Sequence, residues 1–87
     1  MHRKKLIIQN EHGMHARVAS ELVQRARSSG SIVTINKDGA EANASSIIEL
    51  ILLGAKKGSE IEISVEGGDE IKNLESISEI FSEGSGI

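Results

Sequence analysis

A histidine and an arginine are spaced in a way that suits phosphate chemistry. His15 and Arg17 stand two residues apart, shortly after Gly13, where a loop should turn into a helix. A neutral imidazole is a nucleophile, and a guanidinium can donate two parallel hydrogen bonds to phosphate oxygens. The first amides of a helix have no intrahelical partner and attract anions. The pattern therefore predicts a histidine that carries a phosphoryl group.

The helix that should position these residues runs from about Ala16 to Arg27. Its apolar residues recur at spacings of three and four, which is typical of one buried helix face. They are Ala19, Leu22, Val23 and Ala26. Gly30 follows as a residue favoured just past a helix C-terminus. His15 should therefore lie at or just before the first helical turn.

Alternating apolar and polar residues predict four strands. Their ranges are Lys5 to Gln9, Ser31 to Asn36, Ala40 to Asn43 and Glu60 to Glu66. Val33 and Ile35 of the second strand should face Leu6 and Ile8 of the first. Lys37-Asp38-Gly39 is a strong hairpin signal, so the second and third strands should be antiparallel.

Two further helices are predicted. One begins after the cap at Ser46 and ends near Gly54, with too many apolar residues for a single stripe. Some of Ile47, Ile48 and Ile51 should pack inward, and the rest should form an exposed contact surface. The other carries Ile71, Leu74, Ile77 and Phe81 on one face, and residues 83–87 should fray.

The order β-α-β-β-α-β-α indicates an α+β fold with one antiparallel sheet and all helices on one face. Glu60, Glu62 and Glu66 would then line the open face. We expect residues 1–87 to form one domain. Because so short a chain has little room for an enclosed active site, its chemistry should lie at the surface and be completed by a partner.

Composition argues against several classes of function. The formal net charge of −3 and a single aromatic residue disfavour binding to nucleic acid, which relies on positive charge and stacking rings. There is no cysteine for a disulfide or a thiolate metal site, and we expect neither a metal nor a cofactor. Without a long apolar run or a signal segment, we expect a cytoplasmic protein that does not insert into membranes.

Two stretches resemble a known family. Gly-Met-His-Ala-Arg at 13–17 looks like the phosphorylation loop of HPr, the histidine-containing phosphocarrier of the bacterial phosphoenolpyruvate:sugar phosphotransferase system. Ser46 to Leu50, with Leu53 to Gly58, is similar to the family's regulatory serine and the helix after it. The resemblance runs from about residue 4 to residue 82. It implies an open-faced β-sandwich of four antiparallel strands and three helices.

The resemblance also implies a reaction and its partners. Enzyme I would donate a phosphoryl group to Nδ1 of His15, which would pass it to enzyme IIA domains for sugar uptake. Arg17 and the amides of Ala16 and Arg17 would stabilise the phosphoryl group. Ser46 would be a regulatory site for an HPr kinase/phosphorylase. We expect a monomeric carrier that is itself covalently phosphorylated, so whether it counts as an enzyme stays open.

A docking surface for these partners is expected beside His15. Its residues are Ser20, Gln24, Arg27, Ile47, Ile48 and Ile51. Other polar residues are interpreted without a role in the chemistry. His12 should be a solvated loop residue, His2 has no assigned role, and Lys56-Lys57 should form a solvated turn.

Two departures from the family keep an alternative open. Val18 stands where the family nearly always has proline, which fixes φ and removes an N–H in the first turn. Glu49 stands where Gram-positive members commonly have glycine, and its carboxylate would repel a phosphate on Ser46. The alternative is an HPr-like regulatory paralogue with impaired or signalling-only phosphorylation. An acylphosphatase and a split β-α-β module that binds RNA or a ligand are disfavoured, because their motifs are lacking.

Overall fold

Seven elements follow one another in the predicted order β-α-β-β-α-β-α. The computed structural model describes residues 1–81. The strands are β1 His2–Ile7, β2 Ile32–Lys37, β3 Ala40–Asn43 and β4 Glu60–Glu66. The helices are α1 Ala16–Ser29, α2 Ile47–Leu53 and α3 Glu70–Ile80. No helix within this part of the chain is long and apolar enough to cross a membrane.

The four strands form one antiparallel sheet in the order β1-β4-β2-β3, which confirms the predicted fold class. Strand β4 lies between β1 and β2, so Val33 pairs with Val65 and Ile35 with Ile63. The prediction that Val33 and Ile35 face Leu6 and Ile8 was therefore wrong. The first two strands of the sequence, β1 and β2, are not neighbours in this sheet, because β4 lies between them.

The three helices cover one face of the sheet and enclose the core with the inward residues of the strands. The predicted stripe of α1 lies in this core: Ala19, Leu22 and Ala26 are buried, and Val23 is partly buried. Ile77 of α3 and Phe81, which caps the end of α3, are also buried. Ile71 is 59% exposed, because it lies in the first turn of α3 and beyond the edge of the core.

Element boundaries differ most at β1. The strand begins three residues earlier than predicted and ends two residues earlier. Its first residues pair with β4, His2 opposite Val65, although their side chains are polar and exposed. Because these edge-strand residues do not alternate between apolar and polar, the sequence pattern does not mark them as a strand. Only their backbone pairing with β4 does so. The predicted fraying of residues 83–87 lies outside the described residues.

The open face of the sheet carries the acidic side chains of β4, as predicted. Glu60 and Glu66 are exposed and Glu62 is half-buried. Lys5 of β1 lies directly opposite Glu62, so the acidic row has a basic neighbour. This pairing offsets part of the repulsion between carboxylates on one strand.

Glu70, at the start of α3, binds the beginning of β1. Its Oε1 accepts a hydrogen bond from His2 Nδ1 at 2.6 Å and lies 3.1 Å from the Met1 amine. Its Oε2 accepts the Gly67 N–H at 2.7 Å. The hydrogen bond from His2, then that from Gly67, and then the amine lower the pKa of Glu70 from 4.5 to about 2. The carboxylate therefore favours the folded state while it is charged.

The lowered pKa of Glu70 predicts a specific acid sensitivity. Its stabilising effect is fully present above about pH 4.5 and is lost as the pH falls towards 2. As the pH falls from 4.5 to about 2, the free energy of unfolding of Glu70→Gln should therefore decrease less than that of the wild type. Urea unfolding measures this quantity. Glu75→Gln is the control, since Glu75 is an exposed carboxylate on the same helix. An equal loss of stability in the wild type and Glu70→Gln would contradict the prediction.

Candidate functional site

His15 is the N-cap of α1, as the sequence predicted. Its backbone is extended, with φ −89° and ψ 173°, and its carbonyl oxygen accepts the Ala19 N–H at 2.9 Å. Its ring nitrogen Nδ1 accepts the Arg17 N–H at 3.3 Å. A histidine thus takes the capping role that serine, threonine, aspartate or asparagine usually fills. The geometry fixes the ring at the positive end of α1.

The hydrogen bond to Nδ1 also assigns the tautomer of His15. A nitrogen that accepts a hydrogen bond carries a lone pair, so the proton of the neutral ring lies on Nε2. The Nε2 atom is enclosed and has no hydrogen-bond partner within residues 1–81. Nδ1 is therefore the ring nitrogen that carries the lone pair, and it lies beside the Arg17 N–H at the start of α1.

The loop before His15 is anchored to a second loop. The Met14 N–H donates to the Ala55 carbonyl at 2.9 Å, and the Met14 side chain is buried. Gly13 has a φ of +62° and packs directly against the α2–β4 connection. A Cβ atom there would lie 2.5 Å from the Ala55 carbonyl oxygen and 2.7 Å from Lys56 Cα. Gly13 is thus required twice, by its backbone angle and by this close approach.

Arg17 is the second helical residue and lies at the surface. Its guanidinium makes no hydrogen bond or ion pair within the described part of the chain. Ala16, before it, is also exposed. The N–H of Ala16 and the N–H of Val18 both belong to the first helical turn, where no carbonyl lies four residues back in the helix. The amides of Ala16 and Arg17 and the exposed Arg17 side chain therefore place hydrogen-bond donors at the start of α1, where Nδ1 of His15 lies.

Val18 and Met14 are supporting residues that sequence reasoning did not place in the core. Val18 has an exposed fraction of 0% and Met14 of 6%. Their burial fixes the residues on either side of His15. Both are apolar and flank the proposed site in the sequence, a signal that could have identified them. Val18 lies four residues before Leu22 and so continues the buried stripe of α1 towards its N-terminus, whereas Met14 lies in the loop before the helix.

His12 is exposed, as predicted, but it is not isolated. Its ring centroid lies 5.9 Å from that of His15, with an angle of 76° between the ring planes. This is an edge-to-face contact. This contact could not be predicted from the sequence, because the loop conformation decides whether the two rings meet.

Ser46 is the N-cap of α2, and its hydroxyl oxygen accepts the Glu49 N–H at 3.3 Å. The Glu49 carboxylate reaches back and accepts the Asn43 N–H at 3.0 Å. Both side chains therefore satisfy free amides near the start of the helix, in a variant of the capping box. Glu49 has a structural partner that the sequence did not reveal.

The expected docking residues lie on two neighbouring helices. On α1, Ser20 is half-buried, while Gln24 and Arg27 are exposed. Arg27 also donates to the Ser45 carbonyl at 3.1 Å and so connects α1 to the beginning of α2. Helices α1 and α2 pack together. The polar and apolar parts of the predicted surface are therefore adjacent.

The apolar part is larger than predicted. Ile47 and Ile51 are each 41% exposed, and Ile48 is 68% exposed. The expectation that some of these three pack inward was wrong, because Leu50 alone is fully buried on α2. Leu52, which was not assigned to the surface, is 78% exposed. A helix of seven residues has a narrow inward face, so most of its apolar residues remain outside.

No group of three or more histidine, cysteine, aspartate or glutamate side chains in residues 1–81 is arranged to hold a metal ion. At His15 the structure places an imidazole, which can act as a nucleophile, beside the Arg17 N–H.

Comparison with known proteins identifies the family. A family model described as the PTS HPr component phosphorylation site matches residues 2–83. The chain belongs to the HPr family. This membership supports a general phosphocarrier role within the phosphotransferase system. The chain is similar to the phosphocarrier protein HPr of Xylella fastidiosa strain 9a5c, with 38% identity over 77 residues that cover 88% of this chain and 86% of that protein.

Other HPr relatives carry a second name. The phosphocarrier protein NPr of Proteus mirabilis strain HI4320 is 37% identical over 82 residues, which cover 93% of this chain and 91% of that protein. The crystal structure of HPr from Bacillus anthracis str. Ames superimposes with a TM-score of 0.88 at 32% identity, covering 93% of this chain and 96% of that one. Some solved structures of this fold are dimers, among them an HPr dimer from Thermoanaerobacter tengcongensis.

Proposed function

We propose that this HPr-family chain accepts a phosphoryl group from phosphorylated enzyme I on Nδ1 of His15 and passes it to enzyme IIA domains for sugar uptake. The observation that carries the proposal is the hydrogen bond from the Arg17 N–H to His15 Nδ1, 3.3 Å long. This hydrogen bond is accepted by the Nδ1 lone pair and so directs that lone pair to the start of α1. That lone pair is the group that attacks phosphorus.

Phosphorylation changes the partners of the first amides. Once Nδ1 is bonded to phosphorus it no longer accepts the Arg17 N–H, and a phosphoryl oxygen takes its place. The N–H group of Ala16 lies in the same turn and supplies a further donor, since no helical carbonyl faces it. The Arg17 guanidinium adds a forked donor from the solvent side.

These interactions suit temporary storage of the phosphoryl group. A helix N-terminus stabilises a surface anion by about 0.3 to 1 kcal/mol, which is small compared with the energy of a tight binding site. The site is open to solvent on the side of Ala16 and Arg17. A docked partner can therefore reach the phosphorus, exclude water and complete the donor shell. The carrier needs no enclosed pocket and no cofactor for this exchange.

The docking surface proposed for both partners combines α1 and α2. Gln24 and Arg27 supply polar contacts, and the exposed isoleucines of α2 supply an apolar patch. Aromatic and aliphatic anchors in a dry centre with a polar rim are the usual pattern of protein interfaces. Ile48, which is 68% exposed, is the best candidate for an anchor.

The deciding experiment is incubation with phosphoenolpyruvate and enzyme I, followed by intact mass measurement. We expect one acid-labile phosphate on the wild type and none on His15→Ala. His2→Ala is the control histidine variant and should be labelled like the wild type. An unlabelled wild type under conditions that phosphorylate another HPr would overturn the proposal.

Regulation at Ser46 is a separate part of the proposal. Its hydroxyl lies at the start of α2, where the free amides favour a phosphate electrostatically. The nearby Glu49 carboxylate opposes this, although it is bound to the Asn43 N–H. Incubation with HPr kinase/phosphorylase and ATP should add a phosphate that is absent in Ser46→Ala. An unmodified Ser46 would contradict this part alone.

The alternative, a regulatory paralogue with impaired phosphotransfer, rests on Val18. If valine loosens the turn, Val18→Pro should accelerate phosphorylation by enzyme I severalfold. We expect instead that the rate stays within about twofold, because Val18 is fully buried and α1 already begins at Ala16. Initial rates of phosphate transfer, with Val18→Ala as the control, decide between the two.

Oligomeric state and location complete the proposal. We propose a monomer in the cytoplasm, since the carrier must expose the same surface to successive partners. Light scattering at micromolar concentration should give the mass of one chain. A mass of two chains would overturn this point and would agree with the dimers known among its structural relatives.

A further inference from the structure

His12 is held next to the ring that carries the proposed chemistry. The two centroids are 5.9 Å apart and the rings meet edge to face. The loop is fixed on both sides of this contact, because the Gly13 N–H donates to the Asn10 carbonyl and the Met14 N–H donates to Ala55. The His12 side chain is nevertheless exposed. It can therefore exchange protons with solvent while it stays beside His15.

We propose that His12 is a positioning residue that couples proton uptake to phosphorylation of His15, an inference that rests on the proposed function. A histidine side chain changes its charge near pH 6.5. A phosphoryl group on Nδ1 brings negative oxygens close to the His12 ring and favours its protonated form. By linkage, protonated His12 favours phosphorylated His15 to the same extent.

The coupled step is balanced. The Nδ1 lone pair of His15 forms a bond to phosphorus, the bond between phosphorus and the donor atom breaks, and its electron pair stays on the donor. His12 takes one proton from the aqueous buffer as the phosphoryl group adds negative charge at His15. No oxidation or reduction occurs, and return of the phosphoryl group to a partner releases the proton again.

Other charged residues near His12 keep the same charge before and after phosphorylation of His15. Glu11 precedes it in the loop, Arg17 lies at the start of α1, and Lys56 lies in the loop that contacts Gly13. Within residues 1–81, no ion pair joins His12 to any of them. These charges are present before and after transfer. The coupling depends on the charge that phosphorylation adds.

The size of the coupling follows from distance and solvent exposure. At about 6 Å, with an effective dielectric constant of about 40 to 80, one added charge shifts a titration midpoint by roughly 0.5 to 1 pH unit. The same coupling changes the transfer equilibrium by about three- to tenfold between the two charge states of His12. Salt should reduce the effect, because both groups are near solvent.

The test is a pH titration of the histidine ring protons by NMR, before and after phosphorylation with phosphoramidate, a chemical donor that needs no partner protein. The midpoint of the His12 resonances should move upward by roughly 0.5 to 1 pH unit. His2 is the control in the same spectra, since it binds Glu70 at the other end of β1 and its midpoint should stay unchanged. A phosphorylated His15 with an unmoved His12 midpoint would overturn this inference and leave the proposed function intact.

A variant pair separates charge from packing. His12→Phe keeps an aromatic ring but cannot titrate, whereas His12→Leu loses both the ring and the charge. Between pH 5.5 and pH 8, the equilibrium constant for phosphoryl exchange with enzyme I should change relative to that of the wild type by about three- to tenfold. We expect this difference in both variants. A pH profile of His12→Phe identical to that of the wild type would contradict the inference. If neither phosphoramidate nor enzyme I labels His15, the proposed function and this inference fail together.

Discussion

Gly13→Ala should lower the free energy of unfolding by about 2 to 5 kcal/mol and slow phosphorylation at least about tenfold. Two separate penalties act at this position. A φ of +62° is unfavourable for alanine, by about 1 to 2 kcal/mol. The added methyl group would also meet the Ala55 carbonyl oxygen at 2.5 Å, so one of the two loops must move. Movement of this loop displaces His15, whose ring must point at the start of α1.

A matched control separates these penalties. Gly30 has a φ of +75°, and a Cβ atom there would meet nothing within 4 Å. Gly30→Ala should therefore show only the backbone cost and retain the wild-type rate of phosphorylation. Urea unfolding and initial rates with enzyme I measure the two effects. Equal losses of stability in both variants would show that the contact with Ala55 is unimportant.

The helices and strands could be predicted from the sequence because each is specified by the residues within it. Alternation in β4, the Asp38-Gly39 turn and the spacing along α1 each specify an element without reference to the rest of the chain. Strand neighbours could not be predicted in this way. Whether β4 pairs with β1, β2 or both depends on where its buried face finds partners, which is a property of the whole sheet.

The position of the candidate site was also predictable, because a helix N-terminus is marked by its own residues. His15 is the N-cap, and Ala16 begins α1. The support of the site was not predictable. The contact of Gly13 with Ala55 and Lys56 joins residues some forty positions apart, and the contact of His12 with His15 depends on that loop geometry. Long-range packing, rather than the local pattern, decides both.

For α2, the sequence predicted more burial of apolar side chains than the structure shows. The apolar residues there suggested partial burial, yet Ile47, Ile48 and Ile51 all remain exposed. A helix of seven residues buries one or two side chains when it rests on the edge of a core. The exposed apolar residues of α2 lie next to α1, whose N-cap is His15, and they form the apolar part of the docking surface that we propose.

Arg17→Ala should reduce the rate of phosphoryl transfer from enzyme I by about ten- to a hundredfold without changing stability. The guanidinium is exposed and has no partner within residues 1–81, so its removal breaks no contact of the folded protein. Its loss should matter only when negative charge develops near Nδ1. Arg17→Lys keeps the charge but not the forked donor, and its rate should fall between those of the wild type and Arg17→Ala.

Steady-state kinetics distinguish this role from simple attraction between proteins. If Arg17 stabilises the transferring phosphoryl group, Arg17→Ala should lower kcat, whereas Ile48→Ala on the docking surface should raise KM for the carrier with kcat retained. Arg3→Ala is the charge control, because Arg3 is an exposed residue of β1 whose guanidinium donates a hydrogen bond to Met1 Sδ. A raised KM with unchanged kcat in Arg17→Ala would assign Arg17 to docking. The open, shallow site would then rely on the amides of α1 alone to hold the phosphoryl group during transfer.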